Sequence, residues 1–265
     1  MAIVGIAKVR DEVHILKDTL DNWAQYCDAG IHVYVEFDAR GCPHHVDMTA
    51  CIAREHPAVR EVITSNLIDP DRERAEAHNR QVVLSSALRF IGPGDWVAYF
   101  DGDEHLYAVN PDVFQAPHFQ VIAAPMIESY VTPEDAELSE FDYAQRRWCG
   151  DEYEYSPLFF RHSPYLGFHH RDQRNMSVDP RLKTQHHAFM GKCRHWGKGL
   201  SVKKWEEKCH YYAEVFGPKY AEKWRKRMGH AVHTLSDFGR PLVLWDDILH
   251  DRAPIIWRRE LELVS

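Results

Sequence analysis

Three carboxylates follow an apolar run near the middle of the chain. The stretch WVAYFDGDEHLY, residues 96–107, passes from five mostly apolar residues into Asp101, Gly102, Asp103 and Glu104. Ionised carboxylates this close together repel one another and resist desolvation unless a positive charge joins them. Because Asp101 and Asp103 are two residues apart, they can face the same side. They predict a site for a hard divalent cation that keeps positions open for phosphate oxygens.

Other interpretations of this stretch are weaker. Asp-Gly is a common turn dipeptide, so a solvated turn would also explain it. A calcium loop of the EF-hand type requires Gly at its sixth position and Glu at its twelfth, where this chain has Leu106 and Asp112. A phosphatase with an Asp nucleophile usually carries its D-x-D pair on the first strand, whereas this pair follows the fourth. We therefore favour metal binding.

Strands and helices alternate four times in the first hundred residues. Short apolar segments predict strands over residues 2–8, 31–37, 59–65 and 95–101. Helical spacing predicts helices from about residue 13, over 44–56 and from Asp69-Pro70 to about Phe90. This alternation is typical of an α/β fold with a mostly parallel sheet and flanking helices. Ligands of such sheets bind beyond the carboxyl ends of the strands, where Asp38 and Asp101 are expected.

The second half of the chain is less regular and predicts a mixed α+β part. Residues 119–131 predict one or two strands and residues 156–162 another, with an acidic and aromatic loop or short helix between them. Residues 201–228 predict a helix that breaks at Gly217-Pro218. The chain has no internal repeat or obvious linker, so we expect a single domain over residues 1–265.

The opening, the second strand and the carboxylate stretch together resemble a known enzyme family. KVRDEVHIL, Asp38 and GDWVAYFDGDEHL are similar to nucleotide-sugar glycosyltransferases of the GT-A fold, in the broad family-2-like group. The resemblance covers residues 1 to about 107 well and the remainder poorly. It implies a Rossmann-like nucleotide-binding half (1–107), an acceptor and catalytic half (108–200) and a helical extension (201–265). The implied activity is that of a metal-dependent, hexosyltransferase-type enzyme of polysaccharide biosynthesis.

The resemblance implies a role for each residue of the opening motif. Arg10, Asp11 and Glu12 match a motif that usually reads Lys-Asn-Glu, and Arg10 and Glu12 are implied to bind the nucleoside. A capping or salt-bridged pair at a helix start is the alternative for these two. Asp38 matches the acid that contacts the base, although Ala39-Arg40 replaces the usual Asp-x-Ser continuation.

The same resemblance implies the metal and diphosphate ligands. Asp101 and Asp103 match the D-x-D motif that binds Mn²⁺ or Mg²⁺ and the diphosphate of a nucleoside diphosphate sugar. Enzymes of this fold often take a further metal ligand, a histidine, from the C-terminal half. The segment 184–199 offers His187 for that position and Lys192 as a cation for the pyrophosphate. A solvated basic loop is the alternative for this segment.

An inverting enzyme of this kind also needs a carboxylate that deprotonates the acceptor hydroxyl. Asp151 and Glu152 are candidates, following Gly150 in an expected loop. Asp172 is a third candidate, but neighbouring arginines and histidines favour a salt-bridged role for it. Inverting chemistry rests on the family resemblance alone.

Composition limits the classes of partner and the cellular location that we expect. A formal net charge of −8 over 265 residues argues against a dedicated nucleic-acid binder. The six cysteines are scattered, and neither a signal peptide nor a membrane-spanning run is evident, so we expect a cytoplasmic protein. The expected acceptor is a saccharide or a lipid-linked saccharide. Residues 203–228 interleave basic and aromatic side chains, which leaves open a peripheral contact with the inner face of a membrane as well as a solvated helix.

Two other functions remain open on the sequence. A metal-dependent nucleotidyl- or phosphotransferase on a similar sheet would release pyrophosphate or phosphate instead of a nucleoside diphosphate. A non-catalytic nucleotide-binding subunit would bind the donor without turnover. The departures from the family motif at Asp11 and Ala39-Arg40 keep this last alternative open.

Overall fold

The chain folds into two compact units. The computed structural model describes residues 1–36, 43–65, 72–168, 176, 187–215 and 217–259. The first unit contains Met1–Ala124 and Ser156–Gly191, and the second contains Pro125–Tyr155 and Lys192–Ser265. The chain therefore passes between the units three times.

Four parallel strands form the centre of the first unit. These strands are β1 (Ile3–Val9), β2 (Ile31–Glu36), β3 (Val59–Ser65) and β4 (Trp96–Asp101), in the order β3-β2-β1-β4. The helices between them are α1 (Leu16–Ala24), α2 (Pro43–Glu55) and α3 (Arg72–Ala87), which is followed by a 3-10 turn at Leu88–Phe90. Strands β1, β2 and β4 are buried along almost their whole length, as expected of parallel strands covered on both faces. The predicted alternation is confirmed.

Beyond β4 the sheet is mixed, so the expectation of a mostly parallel sheet is wrong. Strand β7 (Trp148–Arg161) runs antiparallel to β4, with Trp96 opposite Arg161. The described chain between β4 and β7 holds β5 (Glu104–Tyr107), β6 (Val121–Tyr130) and two short 3-10 helices, but no α-helix. A parallel return normally requires a helical crossover, and an antiparallel one does not. The broader α/β class is confirmed.

The second unit contains the residues of β6 from Pro125 onward and the residues of β7 up to Tyr155. Strand β9 (Lys192–Lys198) runs parallel to β6, and β10 (Val243–Leu244) and β11 (Ile256–Trp257) pair with β7. The three-residue strand β8 (His187–Phe189) pairs with the start of β6 in the first unit. The helices of the second unit are α4 (Val202–Val215), α5 (Pro218–Arg225) and α6 (Trp245–Leu249). The predicted break at Gly217-Pro218 is confirmed, with Pro218 in the first turn of α5.

Asp151 and Glu152 lie inside β7, so the prediction of a loop around them is wrong. Pairing with β10 and β11 explains why a polar sequence is extended here. Val243 lies opposite Cys149, and Ile256 lies opposite Glu152. Both partner segments come from the far C-terminal part of the chain, which local sequence patterns do not reveal.

Aromatic packing fixes helix α1 against the sheet. The Trp23 and Phe100 rings stack with their centroids 4.4 Å apart and their planes 5° apart. The Trp23 indole N–H also donates a hydrogen bond of 2.8 Å to the carbonyl of Glu104. Both rings are fully buried, so α1 holds both the end of β4 and the segment that follows it.

None of the helices within the described ranges has the length and apolar character that crossing a bilayer requires.

Gly5 on β1 offers a test of how tightly this core is packed. A methyl group at this position would lie 2.9 Å from Cys27 Sγ and 3.0 Å from Ile31 Cγ1. We expect Gly5→Ala to lower the free energy of unfolding by about 1–3 kcal/mol through overpacking. Urea denaturation measures the change, with Gly92→Ala as control because its new methyl would lie 4.0 Å from the nearest atom. Equal midpoints for the two variants would contradict the packing described.

Candidate functional site

The predicted metal ligands lie in a buried turn at the carboxyl end of β4. Asp101 ends the strand, and its backbone N–H donates a hydrogen bond of 3.0 Å to Glu104 Oε2. Asp103 is 5% exposed and Glu104 1% exposed, and each offers a carboxylate oxygen within 4.8 Å of the other. Two acids this close in a buried turn have the donor chemistry of a hard cation site. Glu104, noticed in the sequence but not assigned as a ligand, is thus a structural neighbour of Asp103.

The opening motif packs directly against this turn. A methyl group at Gly102 would lie 2.8 Å from Glu12 Cγ and 3.0 Å from Val9 Cγ1, so only glycine allows the close approach. The Thr19 hydroxyl donates a hydrogen bond of 2.7 Å to the Gly102 carbonyl. The carboxyl ends of β1 and β4 are neighbours, with Lys8 opposite Asp101. The segment that follows β1 therefore lies beside the turn that follows β4. Glu12 and the carboxylate turn are therefore brought together.

The backbone turns sharply within the opening motif. Asp11 has a φ of +56°, in the left-handed region that Asp and Asn tolerate better than most residues with a side chain. The carbonyl of Glu12 then accepts the backbone N–H of Leu16 at 2.8 Å, which begins α1. Arg10 follows β1 directly and is half-buried. This geometry explains why position 11 holds Asp, a polar residue that tolerates left-handed backbone angles.

A chain of buried charged and polar groups leads to Asp101. Lys8 Nζ lies 2.7 Å from Glu36 and 3.5 Å from Glu76. Glu76 lies 3.4 Å from Arg80, whose Nε donates a hydrogen bond of 2.6 Å to the Tyr99 hydroxyl.

The Tyr99 hydroxyl in turn donates to Asp101 Oδ1 at 2.8 Å. Burial opposes the charge of Arg80, but Tyr99, Asp101 and Glu76 together raise the pKa of its guanidinium. The acids at the strand ends are thus balanced by permanent positive charge.

The predicted metal ligand His187 does not lie among the close ligand atoms of this turn. Asp38, implied to contact the base, and Asp172, a candidate catalytic carboxylate, lie outside the described residues. His187 lies on β8, is exposed, and pairs with Val121 of β6. Partial desolvation of its ring lowers its pKa. Among the described residues it forms no group of three close ligand atoms with Asp101 or Asp103.

Lys192 is engaged inside the second unit. Its ammonium donates hydrogen bonds to the carbonyls of Ile248, at 2.5 Å, and Leu249, at 3.3 Å, and pairs with Asp251. These carbonyls end helix α6, where a cation is favourable. The contacts give Lys192 a helix-capping role in this unit.

Asp151 and Glu152 are neighbours in sequence but have different environments. Asp151 accepts two hydrogen bonds from Arg240, at 2.8 and 2.6 Å, in a bidentate ion pair. Glu152 is 1% exposed, and neither of its oxygens has a well-directed hydrogen bond among the described residues. Its carboxylate occupies the space beside Gly150, where an added methyl would lie 2.8 Å from Oε1.

The environment of Glu152 changes its protonation. Burial raises the pKa of this carboxyl above its usual 4.5, and neighbouring Asp151 adds to the rise. Its own backbone N–H, the Ser236 hydroxyl and Arg258 offset this only in part. A raised pKa makes the ionised form of this carboxyl a stronger base, which suits it to proton transfer.

Glu128 is a charged residue of the second unit that the sequence did not single out. Its Oε1 lies 3.0 Å from His195 Nδ1, and its Oε2 lies 3.8 Å from Lys198 Nζ. Burial opposes ionisation, but His195 and Lys198 hold the pKa of Glu128 well below its usual value. Glu128 is a single acidic residue in the apolar strand β6, and no sequence motif marks it.

Comparison with protein-family models and with curated protein sequences identifies no relative of this chain. A functional assignment therefore rests on the side chains themselves and on the resemblance of residues 1–107.

The two neighbouring acids of β7 predict opposite stability effects. Asp151→Asn removes an acceptor from Arg240, so we expect a loss of about 1.5–3 kcal/mol in unfolding free energy. Glu152→Gln removes a carboxyl whose folded pKa is raised. Above about pH 4.5 the unfolded chain releases this proton more readily than the folded chain, so wild type loses stability as pH rises through the folded pKa.

Urea denaturation at pH 4 and pH 7.5 measures both variants. Glu152→Gln should gain stability relative to wild type on going from pH 4 to 7.5. A constant difference between the two proteins at both values would show that Glu152 titrates alike in the folded and unfolded chain.

Proposed function

We propose that the protein is a metal-dependent glycosyltransferase of the GT-A type, which transfers a sugar from a nucleoside diphosphate sugar to a saccharide or lipid-linked acceptor. One observation carries the proposal. The carboxylates of Asp103 and Glu104 approach within 4.8 Å in a buried turn at the carboxyl end of β4. Beyond such strand ends, open α/β sheets bind their ligands.

The donor set of the turn fits a hard cation such as Mn²⁺ or Mg²⁺. Asp101 and Asp103 would hold the ion, with Glu104 as a further oxygen donor. The bound cation would neutralise the diphosphate as it departs. The contact of Glu12 with the turn supports a nucleoside position beside it, together with Arg10 and Asp38. Lys8 and Arg80 place positive charge beside the surrounding acids before any ligand arrives.

Glu152 is our choice of base for the acceptor hydroxyl. Inverting transfer requires a carboxylate that accepts a proton as the new glycosidic bond forms. Asp151 is held by Arg240, whereas Glu152 has no well-directed hydrogen bond to a described residue. The raised pKa of Glu152 makes its ionised form a stronger base than an ordinary carboxylate.

Loss of donor binding in Asp103→Ala is the central test. We expect Mn²⁺ with one of UDP, GDP, CMP, dTDP or ATP to raise the thermal midpoint of wild type. A ligand at 100 times its dissociation constant stabilises by about 2.7 kcal/mol. The variant should lose the shift. Asp112→Ala, which removes an exposed acid after β5, is the control and should keep it.

A shift retained in Asp103→Ala would remove the metal site from the proposal. If no nucleotide shifts the thermal midpoint of wild type, the carboxylate stretch would be only a structural turn. Product analysis separates the alternatives, because a nucleotidyl- or phosphotransferase releases pyrophosphate or phosphate. A binding subunit shows the shift without any turnover, including hydrolysis.

Glu152→Gln tests the base independently of donor binding. We expect turnover to fall about 10²- to 10⁴-fold while the Mn²⁺-dependent thermal shift stays unchanged. Kinetics with the donor identified by the thermal screen measure the fall, with Glu154→Gln as control because that side chain is exposed on the same strand. Equal losses in both variants, or none, would exclude Glu152 as the base.

A further inference from the structure

Four cations gather in the second unit, and none of them is assigned above to the donor, the metal or the acceptor. We call Lys198, Lys223, Arg227 and Arg258 the basic cluster. Lys198 ends β9, Lys223 lies on α5, Arg227 follows α5, and Arg258 follows β11. Segments far apart in sequence thus bring like charges to one place, which costs free energy unless an anion compensates them.

The carboxylates within the second unit compensate this cluster only in part. Lys198 Nζ and Arg227 Nη2 share one oxygen of Asp237, at 2.7 and 3.3 Å. Glu128, 3.8 Å from Lys198, is also paired with His195. Arg258 lies 3.9 Å from the exposed Glu154.

Lys223 is the least compensated member of the cluster. It has no carboxylate within 4.0 Å in the part of the chain that the structure describes. Partial desolvation of its ammonium lowers its pKa, and Arg227, Lys198 and Arg258 lower it further, with Asp237 opposing them. The cluster therefore carries positive charge in excess at Lys223.

Aromatic rings hold these cations in place. The Arg227 guanidinium lies over Trp224, at 5.0 Å from the ring centroid, and over Trp205, at 5.9 Å. Lys198 Nζ lies 5.1 Å from the centroid of Tyr130, and Arg258 lies over Phe238 at 5.4 Å. Such contacts orient the side chains before a ligand arrives and leave most of their N–H groups available.

Buried donors in the same unit also lack acceptors. Arg258 Nε and Trp224 Nε1 are buried and have no hydrogen-bond partner among the described residues. Trp224 contacts Arg227, and Arg258 acts on Lys223, so both belong to the surroundings of the cluster. Buried N–H groups normally find an acceptor, and a group with several acceptor oxygens would supply it.

We propose that the basic cluster binds a phosphoryl group, carried by a soluble phosphorylated compound or by a phospholipid headgroup. The phosphoryl oxygens accept hydrogen bonds from Lys223, Arg227 and Arg258, and its charge offsets the cluster. No divalent cation takes part. The site therefore does not depend on the carboxylate turn, and binding should persist in Asp103→Ala.

Calorimetric titration of the protein with inorganic pyrophosphate in EDTA tests the proposal. We expect wild type and Asp103→Ala to bind alike. Lys223→Ala and Arg258→Gln should each weaken binding roughly tenfold or more, because each removes a charge-assisted hydrogen bond. Lys226→Ala is the matched control, since this exposed lysine follows the same helix but pairs with Glu222 at 2.8 Å. Lys223 is exposed, so its substitution should preserve the fold.

Vesicle flotation identifies the source of the phosphoryl group. A phospholipid headgroup is indicated if the protein binds phosphatidylglycerol vesicles but not phosphatidylcholine vesicles. Lys223→Ala should then reduce this binding, and Lys226→Ala should not. Pyrophosphate binding without vesicle binding indicates a soluble compound. If wild type binds neither probe, or if Lys223→Ala and Lys226→Ala weaken binding equally, the proposal is overturned. Failure of this test would leave the Mn²⁺-dependent nucleotide shift untouched.

Discussion

Charge buried at the ends of parallel strands must be balanced locally, and the first unit meets this constraint with one connected set of contacts. Lys8 compensates Glu36 and Glu76, and Arg80 reaches Asp101 through the Tyr99 hydroxyl. Desolvation would otherwise favour protonated acids, and protonated acids are poor cation ligands. The positions of β1, β4 and α3 relative to one another thus decide which positive charges lie near Asp101.

Much of the first unit was predictable because its signals are local. Continuous apolar runs identified β1 to β4, and the rule that ligands bind beyond the carboxyl ends of parallel strands directed attention to Asp101 at the end of β4. The direction and length of β7 were not predictable, since its partners come from near the C-terminus. The capping of α6 by Lys192 and the pairing of Asp151 with Arg240 join residues 56 and 89 positions apart. No local pattern encodes such contacts.

Residues of one chemical type have different roles here according to their partners. Asp151 and Glu152 are adjacent acids, yet one completes an ion pair and the other is buried beside a glycine. Lys192 caps a helix, whereas Lys223 faces other cations. Residue type alone therefore ranks candidates poorly in the second half of the chain.

The three chain crossings between the units have a consequence for biosynthesis. The first unit is completed only by Ser156–Gly191, and the pairing of Trp96 with Arg161 joins segments that emerge from the ribosome far apart in time. The β4 edge must therefore wait, unpaired, until most of the chain has been translated. An exposed strand edge is prone to aggregation during such a delay. No cut at one position separates the units into two contiguous polypeptides, so neither can be obtained by simple truncation.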